Sequence, residues 1–300
     1  MTQQKLTVGM IGVGLMGHGI ASNIARHGHR LIILEHAGNQ PINDLLAAGA
    51  NVVSSPAAVA QASDVVILCL TGSPQVEAVA GDAGGLLEGM HPGLLIVDCS
   101  TALPSSTLKV AQSIEAAGGR YIDAPMTRTP KEAAQGRLNL IVGGDAQILE
   151  TVSPLLRCFA ESIVHAGPVG AGHQMKLIHN FVSLGFSAVL AEAAACAQKA
   201  GINPDTMVDI LATGGGGGVV LDRLKPYITG KDESGMRFSL ANAVKDMTYY
   251  TTMAEEMGAS HVTAQAVRAS FEFGVHARSP DATVPTLIDI LANARAGEKS

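Results

Sequence analysis

Lys176 and Asn180 are the residues of this 300-residue chain whose types and spacing most directly suggest chemistry. They stand four apart in the segment Gly172-His173-Gln174-Met175-Lys176-Leu177-Ile178-His179-Asn180 and share one face of a helix, with Gly172 a turn earlier on the same stripe, where it leaves room for a ligand. A lysine on an apolar helix needs either a partner or a route to solvent. The route to solvent stays open on the residues alone. The chemical alternative is an ammonium that stabilises negative charge growing on a carbonyl oxygen and delivers its proton. In the reverse direction a partly desolvated, neutral lysine accepts the proton of an alcohol, because burial lowers a lysine pKa. Asn180 can hold the hydroxyl or a carboxylate of the same small molecule.

A second group of residues points to what would exchange electrons with that molecule. An apolar run, Leu6–Ile11, leads straight into Gly12-Val13-Gly14-Leu15-Met16-Gly17. In this pattern the first glycine permits a tight turn, the second lets the backbone approach a pyrophosphate, and the third lets a helix pack on the sheet. Gly12, Gly14, Leu15, Met16 and Gly17 are therefore candidate dinucleotide contacts, with the helix start supplying N–H groups to the phosphates. Glu35 follows the next apolar run about twenty residues on. A carboxylate there accepts from the adenine ribose hydroxyls and repels an extra 2′-phosphate, so NAD(H) is expected over NADP(H); the alternative is a merely solvated Glu35.

These residues need a scaffold that alternates strands and helices. Leu6–Ile11, Leu31–Leu34, Val65–Leu70, Leu94–Val97, Tyr121–Ile122 and Leu138–Val142 read as buried strands. Between them Met16–His27, Ile42–Ala48, Pro56–Gln61, Pro74–Ala80 and Pro104–Ala117 read as helices, several opening on a proline. After about Gly170 no strand is expected, and helices are predicted over roughly 171–200, 204–213, 239–257, 260–275 and 284–296. The predicted architecture is an α/β Rossmann-like dinucleotide-binding domain, residues 1–168, joined by a long helix to an all-α domain, residues 169–300, for substrate and oligomer contacts. Ser100 and Thr101 fall at the carboxyl edge of the sheet, where ligands of open α/β sheets sit, and suit a carboxylate or the nicotinamide ribose. Leu70 and Thr71 follow another strand and are placed near the cofactor. Gly214–Gly218 reads as a loop, either a linker or a flap.

Composition narrows the field further. The chain is 47% apolar and 15% charged, enough to bury a core, and its net charge of −6 argues against a nucleic-acid backbone binder. Its N-terminus has no signal-peptide layout, and the uncharged apolar stretch Phe181–Leu190 is too short to span a bilayer; a cytoplasmic protein without membrane or nucleic-acid partners is expected. The four cysteines form no CxxC pair and are expected to be buried, reduced thiols. The histidines lack metal-ligand spacing, so no metal is expected, and no GxSxG motif is present.

Taken in order, Gly12–Gly17, Asp98-Cys99-Ser100-Thr101, Asp123-Ala124-Pro125, Gly172–Asn180 and Lys245-Asp246 resemble the β-hydroxyacid dehydrogenase family, which includes 3-hydroxyisobutyrate dehydrogenases and tartronate semialdehyde reductases. The resemblance spans nearly the whole chain. It implies the two-domain fold above, dimers or tetramers, Lys176 and Asn180 as catalytic residues, and Lys245 as a cofactor contact; the residues alone also allow Lys245 to pair with Asp246. One loop departs from the usual Ser-Gly-Gly: Met126-Thr127-Arg128-Thr129 is similar to the Gly-Arg-Thr loop of the family's sulfolactaldehyde reductases. A guanidinium offers a rigid fork of donors to a carboxylate, sulfonate or phosphate. With Thr127 and Thr129 beside it, Arg128 is expected to hold the anionic tail of a substrate of sulfolactaldehyde or succinic semialdehyde type. The alternatives are that Arg128 pairs with a surface acid such as Glu132, that the chain is a plain hydroxyacid dehydrogenase, or that it is an imine reductase or a non-catalytic NAD-binding protein.

Overall fold

Short runs of branched apolar residues build the first part of the chain. The computed structural model describes residues 5–294. β1 (Thr7–Ile11), β2 (Arg30–Leu34), β3 (Asn51–Val53), β4 (Val65–Leu68), β5 (Leu95–Asp98) and β6 (Arg120–Asp123) lie parallel in the order β3-β2-β1-β4-β5-β6. In β4, Val65 and Ile67 join one apolar core, and Val66 and Leu68 join another. A strand that feeds both faces must be covered by helices on both, so these runs show no polar alternation. The connections are α1 (Leu15–Arg26), α2 (Asn43–Ala47), α3 (Pro56–Gln61), α4 (Ser73–Gly81) and α5 (Pro104–Ala116). The chain changes direction of build between the neighbouring strands β1 and β4, which creates the crevice at the carboxyl edge.

Beyond β6 the arrangement changes. β7 (Met126–Thr127) pairs antiparallel with β8 (Leu138–Gly143), β8 meets the end of β6 antiparallel, and β9 (Ala160–Gly167) runs parallel to β8. α6 (Pro130–Ala134) and α7 (Ala146–Leu156) complete this region. β3, β7, β9, α6 and α7 are not anticipated by the sequence patterns. β3 and β7 are too short to show a period, and β9 carries exposed Glu161 and His165 in place of an apolar run. α7 contains Pro154, which masks its helical signal although Asp145 caps its start by accepting from the Gln147 and Ile148 amides.

The remainder is helical. α8 (Ala171–Lys199) is followed by α9 (Pro204–Thr213), α10 (Val219–Gly230), α11 (Leu240–Glu256), α12 (Val262–Ala277) and α13 (Leu287–Asn293). α8 is long and apolar enough by length and composition to cross a membrane, yet Leu184, Ala188, Leu190 and Ala191 are buried in a core with Leu224, Met247 and Phe271. The 171–200, 204–213 and 239–257 predictions match to within a residue, and α10, with its internal Pro226, is an addition. Residues 284–286 form a separate 3₁₀ turn ahead of α13, and 295–296 lie outside the described residues. The chain divides into two compact units, residues 1–176 and 177–300, with the division inside α8 rather than at 168/169. All four cysteines are free; Cys99 and Cys158 are buried, but Cys196 is exposed on α8, against expectation.

Candidate active site

Three glycines of the first turn do three different jobs. Gly12 turns the chain at φ +94°, and a Cβ there would lie 2.3 Å from the Cys69 carbonyl oxygen. At Gly17 a Cβ would lie 1.9 Å from the Gly12 carbonyl oxygen, so glycine lets α1 seat on the turn. Gly14 has an ordinary φ of −79°, and a Cβ there would meet nothing within 4 Å. Protein packing does not demand a glycine at position 14. The open space lies where α1 begins, with Leu15 66% exposed, Met16 half-buried, no side-chain cap and no acid in the first turn. An uncapped helix start offers N–H groups and a positive dipole end to an anion. These residues fit the pyrophosphate of a dinucleotide.

Glu35 is exposed directly after β2, and its amide donates to the Val53 carbonyl at 2.9 Å. Asn39, which no sequence motif singles out, ties this loop to the glycine turn. Its Oδ1 accepts from the Val13 amide at 3.1 Å and its Nδ2 donates to the Leu34 carbonyl at 3.0 Å. The Gln40 amide adds a bond to the Val13 carbonyl at 2.8 Å. The available signal was Gly38-Asn39, a turn pair whose asparagine bonds readily to nearby backbone.

At the ends of β4, β5 and β6 a buried polar network replaces the expected row of ligand donors. Ser100 is 2% exposed; its Oγ accepts from the Leu70 amide at 3.0 Å and its own amide donates to Asp98 Oδ1 at 2.9 Å. Ser100 and Leu70 thus hold each other, while Thr101 is half-buried and Thr71 exposed beside them. Asp98 also accepts from the Tyr121 hydroxyl at 2.8 Å. Asp123, likewise fully buried, accepts from the amides of Gly170 and His173, each at 2.7 Å, and so pins the start of α8. Burial pushes its carboxyl above the ordinary value, opposed by the charge of His173 and by these N–H bonds. His173, given little weight in the sequence, is fully buried: Nε2 lies 3.1 Å from the Ser100 carbonyl oxygen and Nδ1 lies 2.8 Å from Thr107 Oγ1. At Gly172 protein packing itself requires glycine, since a Cβ would lie 2.5 Å from the Ile141 carbonyl oxygen and 2.7 Å from Asp123 Oδ2.

Lys176 is half-buried one turn before Asn180 on α8. In the helical unit, buried Asn180 donates through Nδ2 to Asp246 Oδ2 at 2.6 Å and its Oδ1 accepts from His179 Nδ1 at 3.0 Å. Lys245 Nζ lies 3.1 Å from Asp246 Oδ1, the pairing that the residues alone allowed. Asp246, 3% exposed, therefore serves both candidates at once, a role that its place beside Lys245 in the sequence does not reveal.

The loop at Thr127–Thr129 is organised differently from the expected anion clamp. Arg128 donates to Glu161 on β9 and to the Arg137 carbonyl, so the acid it finds is Glu161 rather than Glu132. That bond holds the Glu161 carboxyl below its ordinary value. Thr129 heads α6 in a capping box, its hydroxyl and amide both donating to Glu132, which lowers the Glu132 pKa. Thr127 Oγ1 accepts from Asn139 Nδ2 at 3.3 Å. Arg128 also sits at φ +83°, a conformation that favours glycine and that side chains rarely adopt.

Comparison with known proteins covers both parts of the chain. Residues 7–167 match the family described as the NAD binding domain of 6-phosphogluconate dehydrogenase, and residues 170–291 match the NAD-binding domain of NADP-dependent 3-hydroxyisobutyrate dehydrogenase. An NAD-dependent L-serine dehydrogenase of Pseudomonas aeruginosa is 32% identical over 270 residues, covering 89% of this chain and 88% of the relative. A 3-sulfolactaldehyde reductase of Escherichia coli is 31% identical over 205 residues, 68% of each chain. Among solved structures, a 3-hydroxyisobutyrate dehydrogenase of Mycobacterium tuberculosis with L-serine has a TM-score of 0.85 at 24% identity, covering 96% of this chain and 99% of that one.

Proposed function

Since the chain belongs to the β-hydroxyacid dehydrogenase family, and is thereby an NAD(P)-dependent oxidoreductase, we propose that it interconverts a small hydroxy acid and its semialdehyde with Lys176 at the reacting oxygen. The observation that carries this reading is the half-buried Lys176 one helical turn from an Asn180 whose amide is fixed by Asp246. A bound nicotinamide supplies or receives the hydride. Lys176 stabilises the charge left on the substrate oxygen and transfers the proton there, and Asn180 orients the substrate. Following NADH absorbance across a panel of three- and four-carbon semialdehydes and hydroxy acids tests this directly. Binding of NADH without turnover of any of them would favour a cofactor-binding protein that does no chemistry.

Two finer parts of the proposal have separate support. Preference for NAD(H) rests on Glu35, an exposed carboxylate at the carboxyl end of β2; a higher kcat/KM with NADPH than with NADH would refute it. The anionic tail of sulfolactaldehyde or succinic semialdehyde type rests on Arg128, an arginine held at a backbone angle suited to glycine. Glu161 and the Arg137 carbonyl both engage Nη1, so an arriving anion meets a guanidinium whose charge is already shared with one acid. Assembly as a homodimer or homotetramer, and a cytoplasmic setting, belong to the same reading; sedimentation of the purified protein tests the assembly.

A further inference from the structure

We propose that His173 is a positioning residue for Lys176: its ring ties the first turn of α8 to the carboxyl end of β5 and so sets where the Lys176 ammonium is presented. The inference rests on the reading of Lys176 as the group at the reacting oxygen.

The start of α8 already has one attachment, through the backbone. The amides of Gly170 and His173 both donate to the carboxylate of Asp123 at the end of β6. A helix held at one carboxylate can still swing about it. The His173 ring provides attachments in other directions, to Ser100 after β5 and to Thr107 on α5. Nε2 faces a carbonyl oxygen, which can only accept, so this nitrogen carries a hydrogen and donates. Nδ1 meets the Thr107 hydroxyl at 2.8 Å. With 0% exposure and both nitrogens engaged, the imidazole has no freedom to turn.

A buried imidazole is costly unless its nitrogens are bonded, and here both are, Nε2 serving the Ser100 carbonyl that an apolar side chain would leave without this donor. What the histidine adds is direction. Lys176 follows three residues later on an unbroken helix, so a shift at position 173 passes to it with no loop to absorb the change. The acceptor Ser100 also receives the Leu70 amide on its hydroxyl and adjoins Thr101. One ring therefore joins the lysine's helix to the carboxyl ends of β4 and β5 through Ser100. A misplacement of about 1 Å costs on the order of 100-fold in rate.

The test compares two amide replacements. His173→Gln can still place a donor where Nε2 meets Ser100, whereas His173→Asn reaches only the Nδ1 position. With a substrate that the wild type turns over, His173→Asn should lower kcat by roughly 10- to 100-fold. Its dissociation constant for NADH, measured by fluorescence, should stay within about threefold of wild type and its KM should change little. His173→Gln should recover kcat to within about threefold at a similar melting temperature. A second readout needs neither substrate nor cofactor: the rate of reductive methylation of Lys176, measured by peptide mass spectrometry against Lys109 and Lys199. That rate should change in His173→Asn and return towards wild type in His173→Gln. Thr107→Val, which removes the Nδ1 partner and keeps the histidine, covers the case in which the asparagine variant does not fold; it should move Lys176 labelling and kcat in the same sense. The proposal is overturned if kcat and Lys176 labelling stay at wild-type values in the folded variants, or if both amides lose kcat in step with melting temperature and NADH affinity. Lys176→Ala separates the two levels. Turnover by that variant above about a tenth of wild type defeats the Lys176 reading itself; an inactive Lys176→Ala beside a fully active His173→Asn defeats only the role of His173.

Discussion

Gly14→Ala and Gly17→Ala, three positions apart in one motif, should fail in opposite ways. At position 14 the new Cβ meets no protein atom within 4 Å and the backbone angle is ordinary. Removing a glycine from the unfolded chain stabilises by about 0.4–1 kcal/mol, and losing glycine at a helix N-cap costs about as much. The net change is about 1 kcal/mol or less, a few degrees in melting temperature. At position 17 the Cβ would lie 1.9 Å from the Gly12 oxygen, where ordinary contact begins at 3.4 Å, so α1 must retreat by more than an ångström. Overpacking of that kind costs about 1–3 kcal/mol or more. Cofactor binding should reverse the ranking of the folded variants. A side chain at 14, and above all Gly14→Val, stands in the path of the pyrophosphate. Losing one or two charged backbone hydrogen bonds, each about 1.5–3 kcal/mol, weakens binding at least tenfold. Differential scanning fluorimetry and NADH fluorescence titration read the two effects separately. Normal NADH affinity in Gly14→Val, or a melting temperature in Gly14→Ala as low as that of Gly17→Ala, would refute the assignment of the open space to a ligand.

Lys176→Ala should lose about 100- to 10,000-fold in turnover with NADH affinity nearly intact, as steady-state kinetics paired with titration would show. Arg128→Gly exchanges a side chain at φ +83° for the residue suited to that angle, so its melting temperature should hold despite the lost pair with Glu161. If Arg128 takes the substrate's anion, the same variant loses about 2 kcal/mol or more of recognition, some thirtyfold in kcat/KM, for anionic aldehydes and far less for a neutral one of equal length; equal losses on both would end the anionic-tail reading. Asp123, whose pKa burial raises, holds its proton more tightly folded than unfolded. Its contribution to stability is therefore complete below the ordinary carboxylate pKa of about 3.9 and is lost as pH rises through the raised value. The urea-unfolding free energy of wild type relative to Asp123→Asn should fall over that interval, and a rise would show that the hydrogen bonds outweigh burial.

The parallel strands and the glycine turn were legible because each is a local pattern, an apolar run punctuated by Gly, Pro or Asp. What stayed hidden depends on distant partners. Arg128 finds Glu161 thirty-three residues away on β9, an edge strand without an apolar run. Ser100 was placed at the correct edge of the sheet, but its hydroxyl turns to the Leu70 amide, a contact that only the β4–β5 pairing creates. His173 lies off the Gly172–Lys176–Asn180 stripe, and the same offset directs it to Ser100 and Thr107. By contrast, Thr129-Pro130-Lys131-Glu132 is a local capping signal readable from the sequence alone.

Asn39 has a consequence for anyone who would redesign this protein's choice of dinucleotide. Substitutions meant to admit a 2′-phosphate naturally target the loop that follows Glu35, and a library that randomises residues 35–40 wholesale would include the side-chain amide that braces the glycine turn at Val13 and the end of β2 at Leu34. Variants that trade selectivity for a loosened turn would then lose affinity for both dinucleotides, and the screen would report an incompatibility between the two cofactors that belongs to the bracing. Holding Asn39 constant while Glu35 and His36 vary keeps the glycine turn braced while dinucleotide preference is screened.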